Sequence, residues 1–105
     1  MNRTFTKLGM IVAFVLSFFS ASAYDFEVNG IYYTVTDLPN LECEVVSGDT
    51  EYEGEVIIPS TVTFNSKTLT VVGIVYGAFS GCSSLTSVTI PDSVTSIRNS
   101  AFYGC

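Results

Sequence analysis

The groups available for chemistry in this 105-residue chain are ten carboxylates, three cysteines and many hydroxyls; histidine is absent. That removes the commonest general base, the commonest metal ligand and the usual partner of a serine or cysteine nucleophile. The sequence has no glycine-rich phosphate loop and no Cys-x-x-Cys pair. Asp49-x-Glu51-x-Glu53-Gly54 has the opening spacing of a calcium loop. Such a loop needs glutamate at its twelfth place, and Ser60 stands there. A solvated acidic loop fits these residues better. Glu42 and Glu44 alternate along an apolar strand pattern, which puts them about 6.6 Å apart on one face. A glycosidase sets its two carboxyls on opposite sides of a substrate cleft, so a wet strand face is the expectation here. No enzymatic activity, no cofactor and no metal site follow from these residues.

The element that must position everything else is Ile74 to Cys105. Displaced by 23 places, it matches itself: Ile74 falls on Ile97, Ala78 on Ala101, Phe79 on Phe102, Gly81 on Gly104 and Cys82 on Cys105. A fixed period of this length marks a solenoid coil. Leu85, Val88 and Ile90 supply the inward residues of a strand, and Pro91 ends it because proline has no N–H to give. Val94 and Ile97 carry the far wall, and Phe102 closes the coil beside Ala101 and Gly104. Cys82 and Cys105 hold the same place in successive coils and should stack. Stacked residues in neighbouring strands lie about 4.8 Å apart with parallel side chains, whereas a disulfide needs converging Cβ atoms about 3.8 Å apart. Buried, unpaired thiols are therefore expected at both places, and Cys43 reads as an apolar strand residue.

The common leucine-rich pattern wants asparagine or cysteine where this chain has Ser93. The run Ala-Phe-x-Gly-Cys-Ser-Ser-Leu-Thr-Ser-Val-Thr-Ile-Pro-x-Ser-Val-Thr-Ser-Ile instead closely resembles the BspA-like, or treponemal-type, bacterial leucine-rich repeat. Ile58-Pro59-Ser60-Thr61-Val62 is a fainter copy upstream, interrupted by an insertion of nine residues. The resemblance implies a right-handed leucine-rich-repeat solenoid in a secreted or surface-displayed, adhesin-like protein. It also implies that Thr86, Ser87 and Thr89, facing away from the core, lie on the concave binding face. These side chains are small and polar and lack the aromatic or arginine anchors of strong interfaces. A plain spacer or stalk is the rival reading, and a gene fragment a further one.

Residues 1–23 read as a signal peptide. Arg3 and Lys7 precede an apolar run from Leu8 to Phe19, and Ala21-Ser22-Ala23 offers a cleavage site before Tyr24. The run is shorter than the roughly 20 residues of a membrane-spanning helix. Cleavage would leave all ten acids against Lys67 and Arg98 alone, a formal charge of −8. That charge disfavours nucleic acid and anionic membrane as partners.

Residues 24–73 read as a β-rich capping module, and 74–105 as the repeats, the second incomplete. Asn29-Gly30 is a favoured hairpin turn that sets Val28 opposite Ile31 and Phe26 opposite Tyr33. Leu41, Cys43 and Val45 share an apolar face, and Ser47 to Gly54 is a polar loop. The insertion alternates about Asn65-Ser66, with Val62, Phe64, Leu69 and Val71 on one face and Thr61, Thr63, Thr68 and Thr70 on the other. It reads as a hairpin splayed from the first coil and covering its open end. The expected protein is mostly β, exported, non-enzymatic, and binds an extracellular protein or glycan. A coil ending at Cys105 with no polar cover is expected to continue into further coils.

Overall fold

The computed structural model describes residues 24–105, so the signal peptide read at 1–23 lies outside the described residues. Among the described residues there are eight strands and no helix: β1 (Phe26–Val28), β2 (Ile31–Asp37), β3 (Glu42–Val46), β4 (Gly54–Ile57), β5 (Thr61–Phe64), β6 (Lys67–Ile74), β7 (Leu85–Thr89) and β8 (Ser96–Ile97). They make two sheets. The larger runs β1-β2-β3-β6-β5, with β8 also on β6; the smaller is β4-β7.

Local turn chemistry accounts for both hairpins. Asn29 and Gly30 have φ of 53° and 84°, and Asn65 and Ser66 have 52° and 64°. Two successive positive φ values give the turn whose twist matches the flanking strands. Val28 accordingly pairs with Ile31 and Phe26 with Tyr33. Val62 pairs with Leu69 and Thr63 with Thr68, and the two threonine hydroxyls hydrogen-bond at 3.2 Å. Between β2 and β3 the Asp37 carboxylate accepts from the Asn40 amide and side chain.

The second hairpin is not splayed. β6 runs parallel to β3, with Val45 beside Ile74, so the hairpin belongs to the sheet that carries β1 to β3. That sheet curls until its two ends meet. Phe26 of β1 and Phe64 of β5 stack with ring centroids 4.4 Å apart and planes 8° from parallel. Val62, Leu69 and Val71 turn into the resulting core, beside Tyr33, Cys43 and Val45.

The repeat period appears as backbone bonds from one coil to the next on each wall. Ile58 N–H donates to Thr89 C=O on the strand wall, and Arg98 N–H to Ile74 C=O on the far wall. At the closing turn Phe79 N–H donates to Ala101 C=O at 2.7 Å and Gly81 N–H to Tyr103 C=O at 2.8 Å. Phe79 and Phe102 stack at 5.1 Å, as residues one period apart should. First-coil Val56, Ile58, Ile74 and Phe79 are buried, whereas second-coil Val88, Val94 and Phe102 are half-buried and Ile90 and Ile97 exposed.

Candidate functional site

The β4–β7 ladder carries the residues singled out for binding. Gly54 pairs with Leu85, but the next pair is Glu55 with Ser87, so Thr86 is skipped by the register. Val56 then pairs with Val88 and Ile57 with Thr89. Alternate residues share a face, so buried Val56 and half-buried Val88 point inward. Ser87 and Thr89 stand outward beside Glu55 and Ile57, and Thr86, Ser87 and Thr89 are all exposed. The sequence reading missed Glu55 and Ile57. Their place was legible in the upstream copy, because Ile58-Pro59 aligns with Ile90-Pro91 and puts Ile57 over Thr89. Ile57 is 61% exposed, the apolar member of a polar surface.

The other edge of β4 borders a groove of about 460 Å³. Its far side is the β1–β2 turn from Val28 to Ile31, with Tyr33 alongside. Glu51, Tyr52, Glu53, Glu55, Val56 and Ile57 are among the residues on the near side, and no β7 residue lines it. Gly54 and Ile58 donate their N–H groups to Ser84 and Thr89 on the β7 side. Backbone groups alternate between the two edges of a strand. Those of Glu55 and Ile57 therefore face the groove.

Tyr52 anchors the segment that carries these acids. Its buried hydroxyl accepts from the Tyr32 N–H at 3.0 Å and donates to the Val46 carbonyl at 2.5 Å. Gly48 lies against the Tyr32 ring so closely that a Cβ would fall 2.2 Å from Cγ. The expected polar loop from Ser47 to Gly54 is thus tied to the cap through Tyr52, and the Tyr24 and Tyr32 hydroxyls also bond its Asp49 and Thr50.

Glu42 and Glu44 do not form a wet pair. Glu44 is only 6% exposed. Its Oε2 lies 3.5 Å from Nη2 of Arg98, which remains 56% exposed. Gly73 makes the space, since a Cβ there would stand 3.0 Å from the carboxylate and 3.1 Å from the Ser96 carbonyl oxygen. This carboxylate spans β3, β6 and the residue after β8. Among the described residues, no cluster of three or more metal-ligating side chains occurs.

All three cysteines are free; Cys43 and Cys82 are buried, but Cys105 is exposed, contrary to its expected burial. Its Sγ donates to the Phe79 carbonyl at 2.9 Å, so the stacking position is kept while one side stays open. Burial pushes the Cys43 thiol up to about 11 and also raises Cys82. At pH 8 a rise of that size leaves about a hundredfold less Cys43 thiolate than an ordinary thiol has. Iodoacetamide on the native protein is expected to label Cys105 first, and Cys43 and Cys82 only on unfolding. Equal rates at all three, or a Cys82–Cys105 crosslink by mass spectrometry, would contradict this. Burial also raises Tyr33 to about 12. A group raised on folding contributes stability below its unfolded value and loses it through its folded value. Stability should therefore fall between about pH 9 and 12 as Cys43 and Tyr33 ionise.

Comparison with known proteins places this geometry. Residues 55–105 match the family described as "BspA type Leucine rich repeat region (6 copies)". A leucine-rich repeat protein from Bacteroides ovatus superposes with a TM-score of 0.69 at 35% identity, over 75% of this chain and 21% of that one. A leucine rich cell surface protein from Faecalibacterium prausnitzii superposes with a TM-score of 0.63 at 27% identity, over 76% of this chain and 21% of that one. The chain thus spans about a fifth of the length of each. No curated protein matches it. Residues 55–105, with β4 and β7 as successive rungs, belong to the BspA-type leucine-rich repeats.

Proposed function

We propose that this is an exported, cell-surface recognition protein that binds an extracellular protein or glycan without catalysing a reaction, through the outward face of β4 and β7. The observation that carries this reading is the aligned, exposed row Glu55–Ser87 and Ile57–Thr89, with Thr86 at its margin. Each coil adds a rung, and weak contacts summed over rungs give affinity that one rung lacks. The cell-surface description of the Faecalibacterium protein supports the location. The small hydroxyl side chains favour a second reading, a spacer displaying other domains.

The test is binding of the exported protein to arrays of extracellular matrix proteins and glycans. Saturable binding is expected, weakened about tenfold or more by Ser87→Arg and Thr89→Arg, which put bulk and charge on the face while leaving the core intact. Binding untouched by both variants would move the site elsewhere, and no binding would leave the spacer. N-terminal sequencing of the exported product should begin at Tyr24; an intact Met1 would refute cleaved export.

A further inference from the structure

We propose that the groove along the free edge of β4 takes an extended, basic peptide segment of another protein as an added strand. This site shares Glu55 and Ile57 with the outward face but uses the free backbone edge of β4 instead of the outward row, and it goes beyond the proposed function. Three observations meet in it. The backbone N–H and C=O groups of Glu55 and Ile57 face the groove, while their neighbours bond to β7. An unpaired strand edge is a template for another strand, and edges in natural proteins are normally covered, twisted away or charged. This edge is uncovered because the cap continues the other sheet: β3 pairs with β6, and no cap strand pairs with β4.

The second observation is room. The space of about 460 Å³ lies between the β4 edge and the β1–β2 turn, with Tyr33 and Val56 offering apolar lining. Ligand sites commonly have volumes of this order. The third is charge. Glu51, Glu53 and Glu55 line the groove, and neither Lys67 nor Arg98 does. Residues 24–105 carry ten acids against those two bases, so a second copy of this chain would meet repulsion, whereas lysine or arginine at alternate positions would meet opposite charge. Main-chain bonds would supply the pairing and the acids the selection.

The probe is a fluorescein-labelled hexapeptide alternating lysine and valine, titrated with the full exported protein and read by anisotropy. Saturable binding is expected, weakening as salt rises and absent for the matching glutamate–valine peptide. Ile57→Pro removes one groove-facing N–H and keeps the β7 ladder, because proline is tolerated where an edge N–H faces away from its neighbour. It should weaken binding about tenfold or more, as should Glu51→Gln with Glu53→Gln. The glutamine variant keeps the backbone and guards against a folding failure of the proline one. Thr89→Gln, which adds bulk to the outward face without placing a charge beside Glu55, should leave peptide binding unchanged, which separates this site from the outward face. Three results would each overturn the proposal. One is no binding at about 1 mM peptide. Another is equal binding by folded Ile57→Pro. The third is concentration-dependent self-association in ultracentrifugation that Ile57→Pro abolishes.

Discussion

Replacing Phe79 with alanine is expected to lower the unfolding free energy by about 3–5 kcal/mol, the range for removing a fully buried phenylalanine. Phe79 has no exposed surface. Its ring lies 4.5 Å from Tyr52 and 5.1 Å from Phe102. One side chain therefore joins the segment before β4, the first coil and the second coil. Its removal deletes contacts to all three at once, and the surrounding backbone is held by the Phe79–Ala101 and Gly81–Tyr103 bonds. Those bonds limit collapse into the space, which places the effect high in its range. Small domains have about 5–15 kcal/mol in total, so much of the stability would go. Phe79→Leu keeps most of the volume and should cost well under half as much. Urea unfolding followed by far-ultraviolet circular dichroism checks both. A loss below about 1 kcal/mol for the alanine variant would mean that the three parts are not coupled through this ring.

Tyr52→Phe is expected to cost about 2–4 kcal/mol although it deletes one oxygen. Leaving a buried polar group unpaired costs about 1–3 kcal/mol, and this change strands two. The Tyr32 N–H loses its acceptor and the Val46 carbonyl loses its donor. The ring contacts at 5.9 Å to Tyr32 and 4.5 Å to Phe79 remain, so the loss reports the hydroxyl alone. The same change should loosen the segment carrying Glu51 and Glu53. Hydrogen exchange is expected to speed up at Tyr32 and around residues 47–53 before it does so at the closing turn. Unchanged stability would show that water replaces the hydroxyl.

The sequence by itself determined whatever depends on neighbours close along the chain or one period away. Asn29-Gly30 and Asn65-Ser66 need only their own backbone preferences, so both hairpins and their pairing were legible. The 23-residue period places Phe79 over Phe102 and Cys82 near Cys105, because identical coils must stack to bury their apolar faces. It also places Ser87 and Thr89 outward by alternation.

Tertiary structure decided the rest. A strand pattern states which face is apolar but not which strand it will lie beside, so the parallel pairing of β3 with β6 was invisible, as was the meeting of Phe26 with Phe64. Glu44 reads as wet by alternation. It is buried because Gly73 leaves a space and Arg98, 54 residues along the chain, supplies a partner. Tyr52 reads as a tyrosine in a polar loop. It becomes a central anchor because two backbone groups from separate strands converge on its hydroxyl. The groove follows from the same cause. The cap extended one sheet of the solenoid and left the edge of the other open, and the choice between two edges is made by packing across the core, where no local rule reaches.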